Sequence, residues 1–232
     1  MLVSEERKSI MCGRFALTTP GEALATLFGL EQPPPVVPRY NIAPTQPVLA
    51  VRLNPRQERE MTFFRWGLIP PWVKDISVGS RMINARAETV DEKPSFRAAF
   101  KRRRCLIPAS GFYEWQRING RKQPLFIHPV DDQPFVFAGL WETWFGPDGS
   151  EVDSCTILTT TPNALMQEIH NRMPVILEPD EFDAWLFPDL TPDGGRHLLR
   201  PYPADKMTAY PVSTYVNNPH NEGPQCIARI AI

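Results

Sequence analysis

In Gly111-Phe112-Tyr113-Glu114-Trp115-Gln116-Arg117-Ile118-Asn119-Gly120-Arg121-Lys122-Gln123-Pro124-Leu125-Phe126-Ile127-His128, two runs rich in aromatic and branched residues flank an Asn-Gly pair. Asn and Gly both tolerate the positive φ that a type I′ turn requires, so Phe112–Gln116 and Pro124–His128 are predicted to pair as an antiparallel hairpin. Further runs of the same kind lie on either side: Cys105–Pro108 before it, then Phe135–Trp141 and Val152–Thr159, with Asp148-Gly149 marking a second turn between the last two. Val48–Leu53, Met61–Trp66 and Met207–Val212 complete the set of expected strands. Helices are fewer. Pro20–Phe28 carries an apolar face at Leu24, Leu27 and Phe28, with Thr19 as expected N-cap, Glu22 completing a capping box and Gly29 as the stop. Shorter ones are expected at Ser95–Phe100, Pro162–His170, Pro179–Leu186 and Gly194–Leu199. Strands at this density with few helices predict an α+β domain built on an antiparallel sheet or barrel.

Composition narrows the class. A chain of 232 residues forms one large domain or two small ones, and no linker, repeat or low-complexity block divides this one. Proline, at 26 residues, is about twice its usual share and is spread throughout, which excludes a coiled coil or long-helix bundle. No apolar run reaches the roughly 18 residues of a membrane span, and Met1–Ile10 lacks the hydrophobic block of a secretory signal. Cys12, Cys105, Cys155 and Cys226 lie far apart with no C-x-x-C pair, and the four histidines show no ligand spacing. Reduced cytosolic thiols and no metal or other cofactor are expected. The net charge of −1 conceals an asymmetry: residues 1–125 hold 20 Lys+Arg against 11 Asp+Glu, whereas residues 126–232 hold 5 against 15. A basic face built from the first half would suit a polyanion, and its 15 arginines suit phosphate; an ordinary solvated surface fits the count equally. The run Lys101-Arg102-Arg103-Arg104 reads as the solvated end of a helix or strand.

Several short motifs carry possible chemistry. In Met11-Cys12-Gly13-Arg14-Phe15, initiation at Met11 followed by its removal would leave Cys12 at the amino terminus. A terminal amine has a pKa of about 7.7–8.0 and is partly nucleophilic at neutral pH; beside a thiol it can capture an aldehyde twice, as imine and then thiazolidine. The alternative is a small buried cysteine in a first strand. Strand alternation groups Phe112 with Glu114, whose aromatic surroundings would raise its pKa and suit it to proton transfer; pairing with an arginine is the other reading. Asn84 and Arg86 share a face if Ile83–Glu88 is extended, an amide and a guanidinium fit for a sugar and a phosphate or for a plain strand edge. His170, near an expected helix C-terminus, would have its charged form favoured. Trp72, in a stiff proline-rich loop, could stack on a base, whereas Trp66 reads as core.

The order of Met11–Phe15, Arg39-Tyr40-Asn41-Ile42-Ala43-Pro44, Trp66–Pro70, Ile83–Glu88, Gly111–Trp115 and Ile169-His170-Asn171-Arg172-Met173-Pro174 closely resembles the SOS response-associated peptidase (SRAP) family of abasic-site processing proteins. The resemblance spans about Met11 to Gln225. It implies a single SRAP-like α+β domain over residues 11–232, with an antiparallel or mixed β-barrel-like core and a few peripheral helices. It also implies a groove for single-stranded DNA containing an abasic site. It further implies Cys12 as nucleophile, Asn84 and His170 as its catalytic partners and Glu114 as proton shuttle, with Arg14, Asn41, Trp72, Arg86 and Arg172 contacting DNA. Lyase and self-processing peptidase activity would accompany the crosslink. Residues 1–10 are then a leader, either a misplaced start or a removed segment, and the protein is expected to be a cytoplasmic monomer found on damaged nucleoid DNA. A thiol peptidase using Cys12 and His170, and a non-catalytic sensor of damaged or modified DNA, are the rival readings.

Overall fold

The computed structural model describes residues 12–32, 36–118, 120–131, 133–187, 189 and 193–231. In chain order its elements are β1 (Phe15–Leu17), α1 (Gly21–Phe28), β2 (Arg39–Ile42), β3 (Pro47–Leu53), β4 (Arg59–Trp66), β5 (Asn84–Arg86), α2 (Pro94–Arg102), β6 (Arg104–Ala109), β7 (Gly111–Ile118), β8 (Arg121–Pro129), β9 (Phe135–Phe145), β10 (Glu151–Thr160), α3 (Ala164–Gln167), β11 (Met173–Pro174), α4 (Phe182–Leu186) and β12 (Met207–Pro211). Five strands close on themselves in the order β10-β4-β3-β6-β9 and back to β10, a barrel in which only β4 and β10 run parallel. The other sheet, β12-β8-β7-β1-β2, is antiparallel throughout. The mixed barrel with few helices is the α+β architecture that the strand density predicts.

The two sheets share one core. Phe15 on β1 meets Trp66 edge-on at 5.2 Å and Phe137 at 6.0 Å, and Phe112 on β7 lies about as close to Phe135 and Phe137. Phe15, Trp66, Phe112 and Phe137 are fully buried, each worth about 1.5–3 kcal/mol of hydrophobic stabilisation. The alternate face of β7 serves a second, smaller cluster in which Tyr113 packs with Phe126, Val212, Val216 and Cys226.

The β7–β8 hairpin forms with Ile118 opposite Arg121 and Gly120 at φ 78°, as the turn chemistry demands; Asn119 lies outside the described residues. All eight expected strands are present, the longer ones extended by a few residues. β1, β2, β5 and β11 are additional, and at two to four residues they are too short to show a periodicity. α1 ends at Gly29 in the left-handed conformation, but Thr19 does not cap it. Pro20 occupies that position with no side-chain hydrogen bond, because Thr18, Thr19 and Ser110 gather their hydroxyls into one cluster instead. The helix expected over 162–170 shrinks to the four residues of α3, capped by Asn163 Oδ1, since the chain must turn at once into β11. Pro179–Glu181 is a 3-10 turn leading into α4, and the helix expected at 194–199 is a 3-10 turn at Arg196–Leu198. All four cysteines are free and buried.

Lys101–Arg104 is only half solvated. Lys101 and Arg102 are exposed, but Arg103 pairs with Glu142 at 2.5 Å, and Arg104 is buried between Phe100 and Trp185, 4.4 and 4.3 Å from the ring centres. Its donors reach the carbonyls of Phe100, Trp185 and Gly194, and burial lowers its pKa to about 10. The guanidinium is tolerated inside because three carbonyls and two aromatic faces replace water.

Candidate functional site

One half of the site belongs to the antiparallel sheet. Pairing of Phe15 with Phe112 carries the preceding residues alongside β7, where the Tyr113 amide donates to the Arg14 carbonyl at 2.9 Å. One step further the backbone N–H of Cys12 donates to Glu114 Oε1 at 2.7 Å. Both residues are buried. Removal from water pushes the Glu114 carboxyl up to about 7, against the stabilising pull of the Cys12 and Trp115 amides and of Lys122. Burial, reinforced by Glu114, raises the Cys12 thiol well above its ordinary value, so it stays protonated. Cys12 also sits at φ 36°, a left-handed conformation that costs a non-glycine residue about 1–3 kcal/mol.

The other half is built around the C-terminal part of β10. β5 runs parallel to it, with Asn84 beside Ile157 and Arg86 beside Thr159; Pro174 of β11 pairs with the same Thr159. Alternation along β5 turns Ala85 into the core, leaving Asn84 half-buried and Arg86 exposed. Arg172 forks onto both carboxylate oxygens of Glu88, and its Nη2 reaches the Thr159 carbonyl at 2.6 Å. The Arg172 amide donates to His170 Nδ1 at 3.3 Å, which assigns the neutral ring's proton to Nε2. Contrary to the expectation of a favoured charged form, burial depresses the His170 pKa, with a smaller push the same way from the Arg172 charge, against a backbone hydrogen bond with Arg172 that favours the charged form; a four-residue α3 adds too little dipole to reverse the balance.

The remaining expected residues divide. Asn41 is fully buried and faces inward: Oδ1 accepts from Arg14 Nη1 at 2.8 Å, and Nδ2 donates to the carbonyls of Val216, Asn218 and Asn221. It is not displayed to a strand of DNA; it clasps the C-terminal segment. Arg14 is half committed to the same clasp, through the Val216 carbonyl at 2.8 Å. Trp72 is 57% exposed, on a loop that Trp144 holds through the Val73 carbonyl. Trp66 is core. Sequence reading assigned no role to Glu88, Thr159 or Gln116. Gln116 Nε2 donates to the Glu168 carbonyl at 2.7 Å and so ties the two halves together. Its place two residues beyond Glu114, on the same strand face, is the signal that was available. Met11 and the leader lie outside the described residues. Among the described residues no group of three or more His, Cys, Asp or Glu side chains is arranged to hold a metal, and no helix is long and apolar enough to cross a membrane.

Comparison with known proteins gives a consistent result. The family model described as SOS response associated peptidase (SRAP) matches residues 11–219. The chain is 47% identical over 222 residues to the abasic site processing protein YoqW of Bacillus subtilis (strain 168), covering 94% of this chain and 99% of that one. It is 34% identical over 227 residues to the abasic site processing protein HMCES of Gallus gallus, covering 84% and 67%. A solved structure from Bacteroides thetaiotaomicron superposes with a TM-score of 0.82 at 27% identity, covering 95% of this chain and all of that one.

Proposed function

The chain belongs to the SOS response associated peptidase (SRAP) family, and from that membership we propose that it processes abasic sites in single-stranded DNA by a covalent crosslink through Cys12. The observation that carries the proposal is the 2.7 Å contact between the Cys12 nitrogen and a buried carboxyl that titrates near neutrality. With residues 1–11 removed, that nitrogen is an amine and Glu114 is its proton acceptor. The left-handed backbone at Cys12 supports the same reading, since a first residue has no φ and the strain ends with the bond to Met11.

An abasic deoxyribose opens to an aldehyde. The Cys12 amine attacks C1′, Glu114 takes a proton from the ammonium and returns one to the departing hydroxyl, and water leaves as the imine forms. The S–H then adds across C=N: sulfur bonds to C1′, the proton passes to nitrogen, and a thiazolidine closes. Neutral His170 offers a proton donor at Nε2 for opening the sugar, and Asn84 and Arg86 supply polar contacts on one face for sugar and phosphate. Holding the lesion beside the amine contributes proximity worth up to about 7–11 kcal/mol. If ring closure is slow, the imine eliminates the 3′ phosphate and cuts the strand, a lyase outcome. A thiol held protonated suits late closure on an imine better than the thiolate attack of a thiol peptidase.

The test incubates protein beginning at Cys12 with an abasic oligonucleotide and with its intact-base counterpart, followed by boiling in detergent. A denaturant-resistant band only on the abasic strand, lost in Cys12→Ala, is expected; no resistant band on either strand, with equal binding of both strands by parent and Cys12→Ala before boiling, would reduce the protein to a non-catalytic DNA-binding module.

A further inference from the structure

Glu114 stands on the antiparallel sheet and Cys12 just before its strand β1, whereas Asn84 and Arg86 stand on β5, which pairs with the barrel strand β10, and His170 and Arg172 in the turn that leads into β11. Two-sided chemistry on one sugar requires that the halves keep a fixed separation. Gln116 is placed to set it. It lies on β7 two residues past Glu114, about 7 Å along the same face. Its amide donates to the carbonyl of Glu168, the residue that ends α3. That carbonyl belongs to the last turn of a helix and has no helical partner of its own to accept from. The grip falls two residues before His170, whose backbone N–H is tied to the Met166 carbonyl at 2.7 Å and whose ring is oriented by the Arg172 amide. The path from Glu114 to the imidazole is therefore one strand step, one hydrogen bond and one turn.

Resting on the crosslinking reading of the site, we propose that Gln116 is a positioning residue, an amide brace that fixes the His170 turn opposite the Cys12–Glu114 pair. Gln116 touches neither DNA nor a reacting atom in this role; it acts through Glu168 and His170. A displacement of about 1 Å at a reacting group costs on the order of 100-fold in rate, so loss of the brace lowers the crosslinking rate far more than it lowers stability.

The experiment compares protein beginning at Cys12 with Gln116→Glu, Gln116→Ala and Gln116→Lys, at a pH where the introduced carboxylate is ionised. Glu matches Gln in size but has no donor, Ala removes the side chain, and Lys keeps a donor. Two readouts are taken: the rate of adduct formation across abasic-oligonucleotide concentrations, and the 15N signals of the His170 ring, assigned with His170→Gln. The inference predicts that Glu and Ala lower the saturating rate by about 10- to 100-fold with little change in the half-saturating concentration. In both, the His170 signals move from a single Nε2–H tautomer toward exchange between tautomers, and Lys restores rate and signals. Parental rates and unchanged ring signals in Glu and Ala would overturn it. If the parent forms no adduct but Glu and Ala still shift the His170 signals and Lys does not, the brace stands and the crosslinking reading falls.

Discussion

Glu114 lies buried with one carboxylate oxygen 2.7 Å from the Cys12 nitrogen. Its folded pKa of about 7 lies above the ordinary carboxylate value of 4.5, because burial destabilises the charged form. The sign of the linkage follows: the stability it allows is fully present below about 4.5 and is lost as pH rises through about 7. In the chain that keeps residues 1–11, where the Cys12 nitrogen is a peptide amide, Glu114→Gln should therefore be more stable than the parent at pH 8, by about 3 kcal/mol, a difference that shrinks toward pH 5. Parallel melting curves across that range would refute the assignment. The same variant should form adduct at least 100-fold more slowly, as removal of a general acid–base group does. The raised carboxyl was legible from alternation, since Phe112, Glu114 and the aromatics around them can be read from the sequence. The protonation state of His170 was not. It depends on burial at the end of an α3 half the expected length and on the Arg172 charge, and neither is visible in a lone histidine near a helix end.

Elements explain why some candidate contacts serve the fold. Asn41 on β2 donates to three carbonyls of the C-terminal segment and accepts from Arg14, so Asn41→Leu removes four hydrogen bonds at once. About 2–4 kcal/mol of destabilisation is expected, together with faster proteolytic clipping and amide exchange within residues 213–229; unchanged protection of that segment would contradict the clasp. Long strands were legible because five or more residues display a pattern, whereas β5 and β11 exist only because β10 offers them an edge. The motif containing Asn84 and Arg86 was therefore recognisable as chemistry before it was recognisable as a strand. Similarly, a run of four cations reads as surface until α4 supplies the aromatic wall that takes Arg104 inside.

At the scale of the whole molecule, the basic first half is less basic than its count. Arg39, Arg52, Arg59 and Arg103 pair with Glu222, Glu60 and Asp153, Asp183 and Glu142, and Arg104 is buried. Arg86 is an exposed cation within the site, whereas the Arg172 fork is occupied by Glu88. Affinity for single-stranded DNA should fall with salt, and Arg86→Gln should reduce the slope of log K against log salt by about 0.7, the loss of one phosphate contact. Glu88→Gln should do the opposite, tightening binding at low salt by releasing Arg172. Equal slopes for parent and both variants would remove these residues from the interface. The central claim is tested most directly by the intact mass of the product formed between an abasic oligonucleotide and protein whose first residue is Cys12. The account predicts a species at the summed masses minus one water, absent with Cys12→Ala and absent when residues 1–11 remain attached. The same adduct from the chain with its leader in place would contradict it.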